Sequence, residues 1–239
     1  MIGLGTIINT AAILAGGLCG ALFGRVLGQS AQDTLMKSCG VSTLLIGISG
    51  AMEGMLTVEA GKITGGGALL IIGCLAVGGV IGELLNIEGA FERLGEWLKV
   101  RSGNARDKDF VNAFVCASLT VCIGAMAIVG AIQDGLTGDY SILATKAVLD
   151  MIIIMVMSGS MGKGAVFSAI PVAVFQGSIT ALSGLVRPIM TEAALANLSL
   201  VGNVLIFCVG INLVWGKKIK VANLLPAIVI AVAAAFAPF

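Results

Sequence analysis

Two oppositely charged residues, Lys146 and Asp150, interrupt an apolar stretch of the sequence, SILATKAVLDMIIIMVM at 141–157. Because they are four residues apart, they share one face of a helix and can pair. A charged side chain at the centre of a bilayer costs at least about 2.5–3.5 kcal/mol and is normally tolerated only inside a helix bundle or a wet cavity. The pair therefore indicates either a structural ion pair between helices or, as we prefer, a site for a coupling ion or a substrate.

An acidic, glycine-rich segment, DGLTGD, runs from Asp134 to Asp139 and precedes this stretch. We interpret it as a tight turn on the outer side of a membrane. One hypothesis makes it a solvated loop cap. The other makes it a mouth that attracts cations, or unwound backbone whose carbonyl groups coordinate an ion.

A second glycine-rich segment, SGSMGKG, begins at Ser158 and follows the same stretch. It differs from a phosphate-binding loop, which requires glycine where Met157 stands and serine or threonine where Gly164 stands, so we reject ATP binding. We predict a helix break, with the hydroxyl groups of Ser158 and Ser160 available to a ligand.

Further polar side chains fall within apolar segments on either side of the charged pair. Ser118, Thr120 and Gln176 are candidate site residues, although most such groups form hydrogen bonds between helices, worth about 0.6 kcal/mol each. For Asn9 we expect an interhelical hydrogen bond of this kind. The candidate site thus contains nine residues: Asp150, Lys146, Asp134, Asp139, Ser158, Ser160, Ser118, Thr120 and Gln176.

The composition excludes several classes of protein. Of 239 residues, 58% are hydrophobic, only 11% are charged and none is histidine, and the mean hydropathy is +1.06. A soluble domain carries roughly 25% charged residues, so the chain is predicted to be an all-α integral membrane protein. The lack of histidine excludes imidazole chemistry. The sequence contains no recognisable pair of a nucleophile and a base, so we do not expect an enzyme. We expect no cofactor other than a monovalent cation, and the net charge of +1 does not suggest a nucleic-acid partner.

The charged residues divide the chain into eight segments, each about the length that crosses a bilayer. They are predicted at 3–24, 35–55, 63–84, 110–133, 141–161, 164–186, 194–216 and 221–238, with the reservation that a re-entrant hairpin near 134–164 would change the count. The predicted single membrane domain has a first half (1–86), a cytoplasmic amphipathic helix and linker (87–109), a central part (110–163) and a second half (164–239). In the amphipathic helix, Trp97 is expected at the level of the lipid headgroups.

Lysine and arginine predict the orientation of these segments. With the N-terminus outside, four loops facing the cytoplasm carry eleven of these residues, and the outer loops carry only Lys62 and Arg187. Both termini are therefore predicted outside the cytoplasmic membrane.

Two patterns concern the architecture. A shift of about 160 residues aligns the first predicted helix with the sixth, the second with the seventh and the third with the eighth, which suggests an inverted repeat of the kind that many secondary transporters contain. In the first helix, Gly16, Gly20 and Gly24 form two GxxxG steps. These allow close helix packing, either within the chain or in a homodimer.

The start of the chain, IGLGTIINTAAILAGGLCGALFG, and above all GAMAIVGAIQDGLTGDYSILATKAVLD at 124–150 resemble the YqgA-like (YdfK-like) family of bacterial multispanning membrane proteins. The resemblance extends over essentially the whole chain. Matching positions in the second segment include Gly130, Asp139, Lys146 and Asp150. The family is classed as a domain of unknown function, so the resemblance implies a helical bundle in a bacterial cytoplasmic membrane and names no substrate.

From these observations we expect an ion-coupled secondary transporter of the inverted-repeat type, acting on a small solute or ion. The alternative is a membrane-embedded regulatory or scaffold protein without transport activity. The two hypotheses differ in water access to Asp150, because a carrier needs a hydrated path to this residue and a scaffold needs it dry and paired.

Overall fold

The computed structural model of the chain describes residues 2–24, 26, 28–59, 62–123 and 125–236. Arg25 of the predicted cytoplasmic loops and Gly124 of the family-like segment lie outside the described residues. Within them the chain forms eleven α-helices and a two-stranded antiparallel hairpin. The helices are α1 (Leu4–Gly24), α2 (Gln29–Met55), α3 (Ala68–Leu85), α4 (Ile87–Arg101), α5 (Phe110–Cys122), α6 (Ala125–Thr137), α7 (Ser141–Met161), α8 (Ala169–Ala181), α9 (Ser183–Val186), α10 (Glu192–Trp215) and α11 (Pro226–Ala234).

The prediction of a helical membrane protein is confirmed, whereas the count of eight spans is not. Among the described residues, six helical segments are long and apolar enough to cross a bilayer: α1, α2, α3, α7, α10 and the segment Lys163–Ala181, which consists of a 3-10 turn and α8. A seventh span results if α5 and α6, bent by 62° at a short break, are taken together. The predicted eighth helix begins with a 3-10 turn and is too short to qualify, since α11 has only nine residues.

The third predicted helix begins later than expected. Residues 62–65 instead form strand β2 (Lys62–Gly65), which pairs with β1 (Leu56–Glu59) in a hairpin between α2 and α3. Gly67 then precedes α3 with a φ of 77°, in the left-handed region that glycine adopts without strain.

Close contacts establish the relative directions of the long helices. α1 and α7 run parallel, because Gly5 of α1 lies against Leu143 of α7 while Gly20 lies against Met155. α1 and α8 run antiparallel, since Thr6 meets Thr180 while Asn9 meets Gln176. The pair α2–α10 is antiparallel as well, because Gly40 contacts Val214 while Gly54 contacts Leu200. α3 is antiparallel to α11 and the 3-10 turn before it, because Gly78 contacts Ala227 of α11 while Gly82 contacts Asn223 of the turn.

The glycine face of α1 is used within the chain. A Cβ atom at Gly16 or Gly20 would lie 2.2 or 2.0 Å from the carbonyl oxygen of Met151 or Met155, so α7 already fills the surface that the sequence offered to a second copy. A homodimer through α1 would have to use its other face, where Leu18 is exposed. The close approach explains why glycine recurs at this spacing.

The predicted amphipathic helix is present as α4, and its Trp97 is 60% exposed. Its first turn carries Glu88, whose side chain is 6% exposed and forms a salt bridge of 2.9 Å with Lys217, beyond the end of α10. Lys217 also pairs with Glu92, one turn further along α4. These contacts attach α4 to the loop between α10 and α11.

Candidate functional site

The predicted pair of Lys146 and Asp150 forms the centre of a buried polar cluster. The Lys146 ammonium donates a hydrogen bond of 2.5 Å to Asp150 Oδ2, and the two residues are 7% and 3% exposed. Asp150 is the tenth of the 21 residues of α7, which places it about 13 Å along the helix at a rise of 1.5 Å per residue. The pair is therefore buried near the middle of the bundle.

The break between α5 and α6 supplies the second partner of the lysine. α5 ends at Cys122 and α6 begins at Ala125. The Val121 carbonyl, in the last turn of α5, accepts a hydrogen bond of 2.9 Å from Lys146 Nζ. The C-terminal end of a helix has unpaired carbonyl groups and a partial negative charge that favours cations. The ammonium thus stabilises a helix end inside the bundle, and the predicted continuous helix at 110–133 is in fact a bent pair.

Two amide side chains complete the cluster from α1 and α8. Asn9 Nδ2 donates to Asp150 Oδ2 at 3.0 Å and to Gln176 Oε1 at 3.2 Å. Both amides are fully buried. Gln176 was among the predicted site residues, and the structure brings it next to the pair through Asn9.

Three buried polar atoms in the described part of the chain have no hydrogen-bond partner: Asn9 Oδ1, Gln176 Nε2 and Ser158 Oγ. Two of them belong to the cluster around Asp150. An unpaired polar group in a protein interior costs about 1–3 kcal/mol, so native proteins rarely contain one without a functional or solvent-related reason. The cluster therefore retains one free acceptor, on Asn9, and one free donor, on Gln176.

The acidic segment does not form the predicted tight turn, because α6 continues to Thr137. Asp134 is fully buried in α6, and its two carboxylate oxygens accept hydrogen bonds from the backbone N–H groups of Gly3 (3.2 Å) and Gly5 (3.0 Å). The hypothesis of a cation-attracting mouth is therefore wrong for Asp134, which caps the N-terminal end of α1.

Asp139 is exposed and caps α7 in a similar way. Its Oδ1 accepts from the Ser141 N–H at 3.0 Å, and its Oδ2 accepts from Gln133 Nε2 at 2.7 Å. The backbone and side-chain hydrogen bonds from Ser141 hold the pKa of Asp139 below its usual value. These contacts agree with the alternative hypothesis of a solvated loop cap.

The helix break predicted within residues 158–164 is present at Gly162. α7 ends at Met161, Gly162 takes a φ of 103°, and a 3-10 turn follows over Lys163–Ser168. The Ser160 hydroxyl donates to the Val156 carbonyl at 2.8 Å within the same helix. Ser158 is buried and its hydroxyl group has no hydrogen-bond partner, so its availability to a ligand stays a prediction.

The remaining candidate residues, Ser118 and Thr120, do not donate hydrogen bonds to the cluster. The Ser118 and Thr120 hydroxyl groups donate to the carbonyls of Phe114 and Cys116, one turn earlier in α5. Such hydrogen bonds are common for serine and threonine in membrane helices and often bend them. Both residues therefore precede the break after α5 and use their hydroxyl donors within α5.

Sequence reasoning missed two members of the cluster. Asn9 was assigned only an interhelical hydrogen bond, and the signal that could have found it is an amide within the apolar first helix. The Val121 carbonyl left no signal, because the segment around it reads as continuous apolar helix.

Comparison with known proteins agrees with the membrane fold. Residues 4–236 match the family described as "Protein of unknown function (DUF554)". The chain is 30% identical over 226 residues to "Uncharacterized membrane protein YdfK" of Bacillus subtilis (strain 168), covering 95% of this chain and 93% of the relative. It is 28% identical over 232 residues to "Uncharacterized protein YqgA" of Escherichia coli (strain K12), covering 95% and 94%. No solved structure matches the chain. The match over nearly the whole length confirms the resemblance seen in the sequence, and the protein belongs to the DUF554 family of multispanning membrane proteins.

Proposed function

We propose that the protein is an ion-coupled secondary transporter for a small solute or ion, with the cluster of Lys146, Asp150, Asn9 and Gln176 as its central site. The observation that carries this proposal is the buried ion pair at an interrupted helix. Ionisable residues inside a membrane bundle are expensive and usually mark ion or substrate pathways. Interrupted helices whose carbonyl groups face a charged group near the midplane are typical of transporter sites.

The helix contacts support the proposed inverted repeat. Each pair of helices that the repeat relates is in direct contact: α1 with α8, α2 with α10, and α3 with α11. All three pairs run antiparallel, which an inverted duplication requires of related helices. The central amides lie on α1 and α8, one from each proposed repeat, and such interfaces hold the sites of many carriers.

A membrane-embedded scaffold or regulator is the second candidate, and a specific observation favours it. Asp150 is 3% exposed and accepts hydrogen bonds from both Lys146 and Asn9, so it is buried and paired, as a scaffold requires. A carrier must pass through an occluded state of the same appearance. The two functions therefore differ in whether the cluster opens.

Site-directed cysteine labelling tests for opening without knowledge of the substrate. The six native cysteines would be replaced by alanine or serine, and Gln176→Cys or Asn9→Cys introduced singly. A membrane-impermeant maleimide would be added to right-side-out and to inside-out vesicles. For a carrier we expect each introduced thiol to react from both sides over time, because the site opens alternately to each solution.

Matched controls determine the meaning of the result. Ala113→Cys lies at a fully buried position of α5 and should react from neither side, whereas the exposed Asp139→Cys should react from one side only. If Gln176→Cys and Asn9→Cys behave like the buried control, the cluster stays closed and the scaffold hypothesis replaces the carrier.

A further inference from the structure

The Lys146 ammonium occupies a position that the surrounding oxygen atoms would also offer to a metal cation. Its two hydrogen-bond acceptors are a carboxylate oxygen of Asp150 and the Val121 carbonyl oxygen. Carboxylate and backbone carbonyl oxygens are the ligands that hard cations prefer. The C-terminal end of α5 adds a partial negative charge on the same side.

We propose that these groups form a binding site for an alkali cation, which the Lys146 side chain fills as a tethered cation. The inference rests on the proposed transport function, for which it names the class of coupling ion. The cation would bind to Asp150, the Val121 carbonyl and an amide oxygen of Asn9 once the ammonium moves away. Lys146 and the cation therefore compete for the same oxygen atoms.

The charge of the site selects a monovalent ion. Asp150 supplies one negative charge, and the other ligands are neutral oxygens. Within the described residues no group of three histidine, cysteine, aspartate or glutamate side chains is placed to hold a metal. Calcium sites gain affinity from a larger number of charged ligands. A single carboxylate with neutral oxygens balances the charge of an alkali cation, as it balances that of the ammonium.

The unpaired amide atoms fit this exchange. Asn9 now directs Nδ2 towards Asp150 and leaves Oδ1 without a partner. If the amide turns over, Oδ1 takes the place of Nδ2 beside the carboxylate, where it can bind a cation. Gln176 also has an unpaired Nε2, and turning its amide in the same way directs this donor towards Asn9. The two amides can thus support either occupant of the site.

Exchange of the two cations would also act on the helix break. Departure of Lys146 removes the 2.9 Å hydrogen bond to the Val121 carbonyl, at the point where α5 bends into α6. A ligand that favours one arrangement of such an interrupted helix shifts the equilibrium between two states by its difference in affinity. Cation binding would in this way be linked to movement of α6 relative to α5.

The test is to remove the tethered cation and to supply a free one. Purified Lys146→Met protein in detergent would be heated in choline chloride and in lithium, sodium or potassium chloride from 1 to 300 mM. The variant has an uncompensated buried carboxylate, so one alkali cation should raise its Tm by about 3 °C or more in a saturable manner. The wild type should respond to the same salts less, because its site is filled.

The double variant Lys146→Met/Asp150→Asn is the matched control, since it lacks both charges and should not respond. Lys146→Gln is the second variant, in case methionine impairs folding. The proposal would be overturned if the Tm of Lys146→Met and the Tm of Lys146→Gln were each the same in all four salts. Failure of both to fold at 300 mM of every alkali cation would overturn it too, because the free ion should replace the missing charge.

The result separates this inference from the proposed function. If Gln176→Cys and Asn9→Cys are labelled from both sides while the Tm of Lys146→Met does not respond to any alkali cation, the transport proposal is supported and the proposed ion site is wrong. If Lys146→Met binds an alkali cation while the introduced cysteines are labelled from neither side, the ion site is supported and the protein is not a carrier.

Discussion

At the scale of single residues, the stability of the cluster depends on matched charges. Removing one partner of a buried ion pair leaves the other charge uncompensated and typically costs about 3–5 kcal/mol, whereas replacing both can be nearly neutral. In choline chloride we therefore expect Asp150→Asn and Lys146→Met each to lower the free energy of unfolding by this amount. The double variant should lose much less than the sum.

Chemical unfolding of all four proteins in one detergent measures the coupling between the two residues. Additive losses would mean that Lys146 and Asp150 do not stabilise each other, contrary to their geometry. The exposed ion pair of Asp33 and Lys37, also four residues apart, provides a matched comparison, because exposed pairs contribute only about 0–1 kcal/mol.

Asp134 provides a second prediction for a single residue. Replacing it with alanine leaves the Gly3 and Gly5 N–H groups without their acceptors, so the variant should be less stable by about 1–3 kcal/mol. Asp134→Asn keeps one carboxamide oxygen and should lose less. The measurement is thermal or denaturant unfolding, with Asp109→Asn as the control, because the exposed Asp109 side chain does not cap α5. An unchanged Asp134→Ala would contradict the capping role.

The site shows which kinds of residue the sequence could reveal. Lys146 and Asp150 were predictable because charge is rare in an apolar helix and a spacing of four residues dictates pairing. Asp134 was misread because its partners, Gly3 and Gly5, contribute backbone N–H groups from a distant part of the chain. A backbone partner has no signature in side-chain types.

At the scale of elements, the close packing of α1 on α7 depends on the absence of side chains at Gly16, Gly20 and Gly24. Gly20→Ala would place a Cβ atom 2.0 Å from the Met155 carbonyl oxygen, so the helices must separate. We expect a loss of about 1–3 kcal/mol in unfolding free energy, the usual cost of overpacking. Gly73→Ala in α3 is the matched control, because nothing lies within 4 Å of its added Cβ.

The two substitutions should differ in their effect on the free energy of unfolding. Alanine is a better helix former than glycine by about 0.5–1 kcal/mol, so Gly73→Ala should be neutral or stabilising when unfolding is measured under the same conditions. If Gly20→Ala is stabilising as well, α1 and α7 are not packed as closely as the structure indicates.

A further prediction concerns the contact between α4 and the loop after α10. Burial lowers the pKa of Lys217, but hydrogen bonds to Glu92 and Glu88 outweigh this effect and raise it. A raised pKa means that Lys217 stabilises the fold fully below its unfolded pKa of about 10.4. This stabilisation is lost as the pH rises through the higher folded value.

The difference in Tm between wild type and Lys217→Met should therefore be constant from pH 6 to 9 and shrink in more alkaline solution. Lys218→Met removes a neighbouring exposed lysine and should have little effect at any of these pH values. A difference that falls between pH 6 and 9 would show that Lys217 does not make the observed ion pairs.

Most element positions followed from the sequence, because the charged residues bracket apolar stretches of the length a bilayer requires. Three features did not follow. The break after Cys122 lies in residues without charges or prolines. The hairpin at 56–65 contains Glu59 and Lys62, but these charges indicate a loop between spans and not the paired strands that form there. The final helix begins at Pro226, a helix-start signal that the apolar residues before it obscured. Hydropathy identifies the environment of a segment, and it does not determine whether the backbone is continuous.

At the scale of the whole molecule, the loops that the sequence assigned to the cytoplasm meet at one end of the structure. Lys163 donates to Asn104 at 3.5 Å, and Lys217 pairs with Glu88, so the segments after α4, α7 and α10 are neighbours. At the other end, Asp134 near the end of α6 contacts the start of α1. The excess of lysine and arginine at the first end predicts that it faces the cytoplasm.

Labelling from the two sides of the membrane tests this orientation. In a background without native cysteines, Ser102→Cys, in the exposed linker after α4, should react with an impermeant maleimide only in inside-out vesicles. Asp139→Cys, in the exposed turn before α7, should react only in right-side-out vesicles. The reverse pattern would overturn the orientation and place the basic loops outside. Equal labelling of both positions from one side would contradict the fold itself, because α7 separates Asp139 from the end that holds residues 102–104.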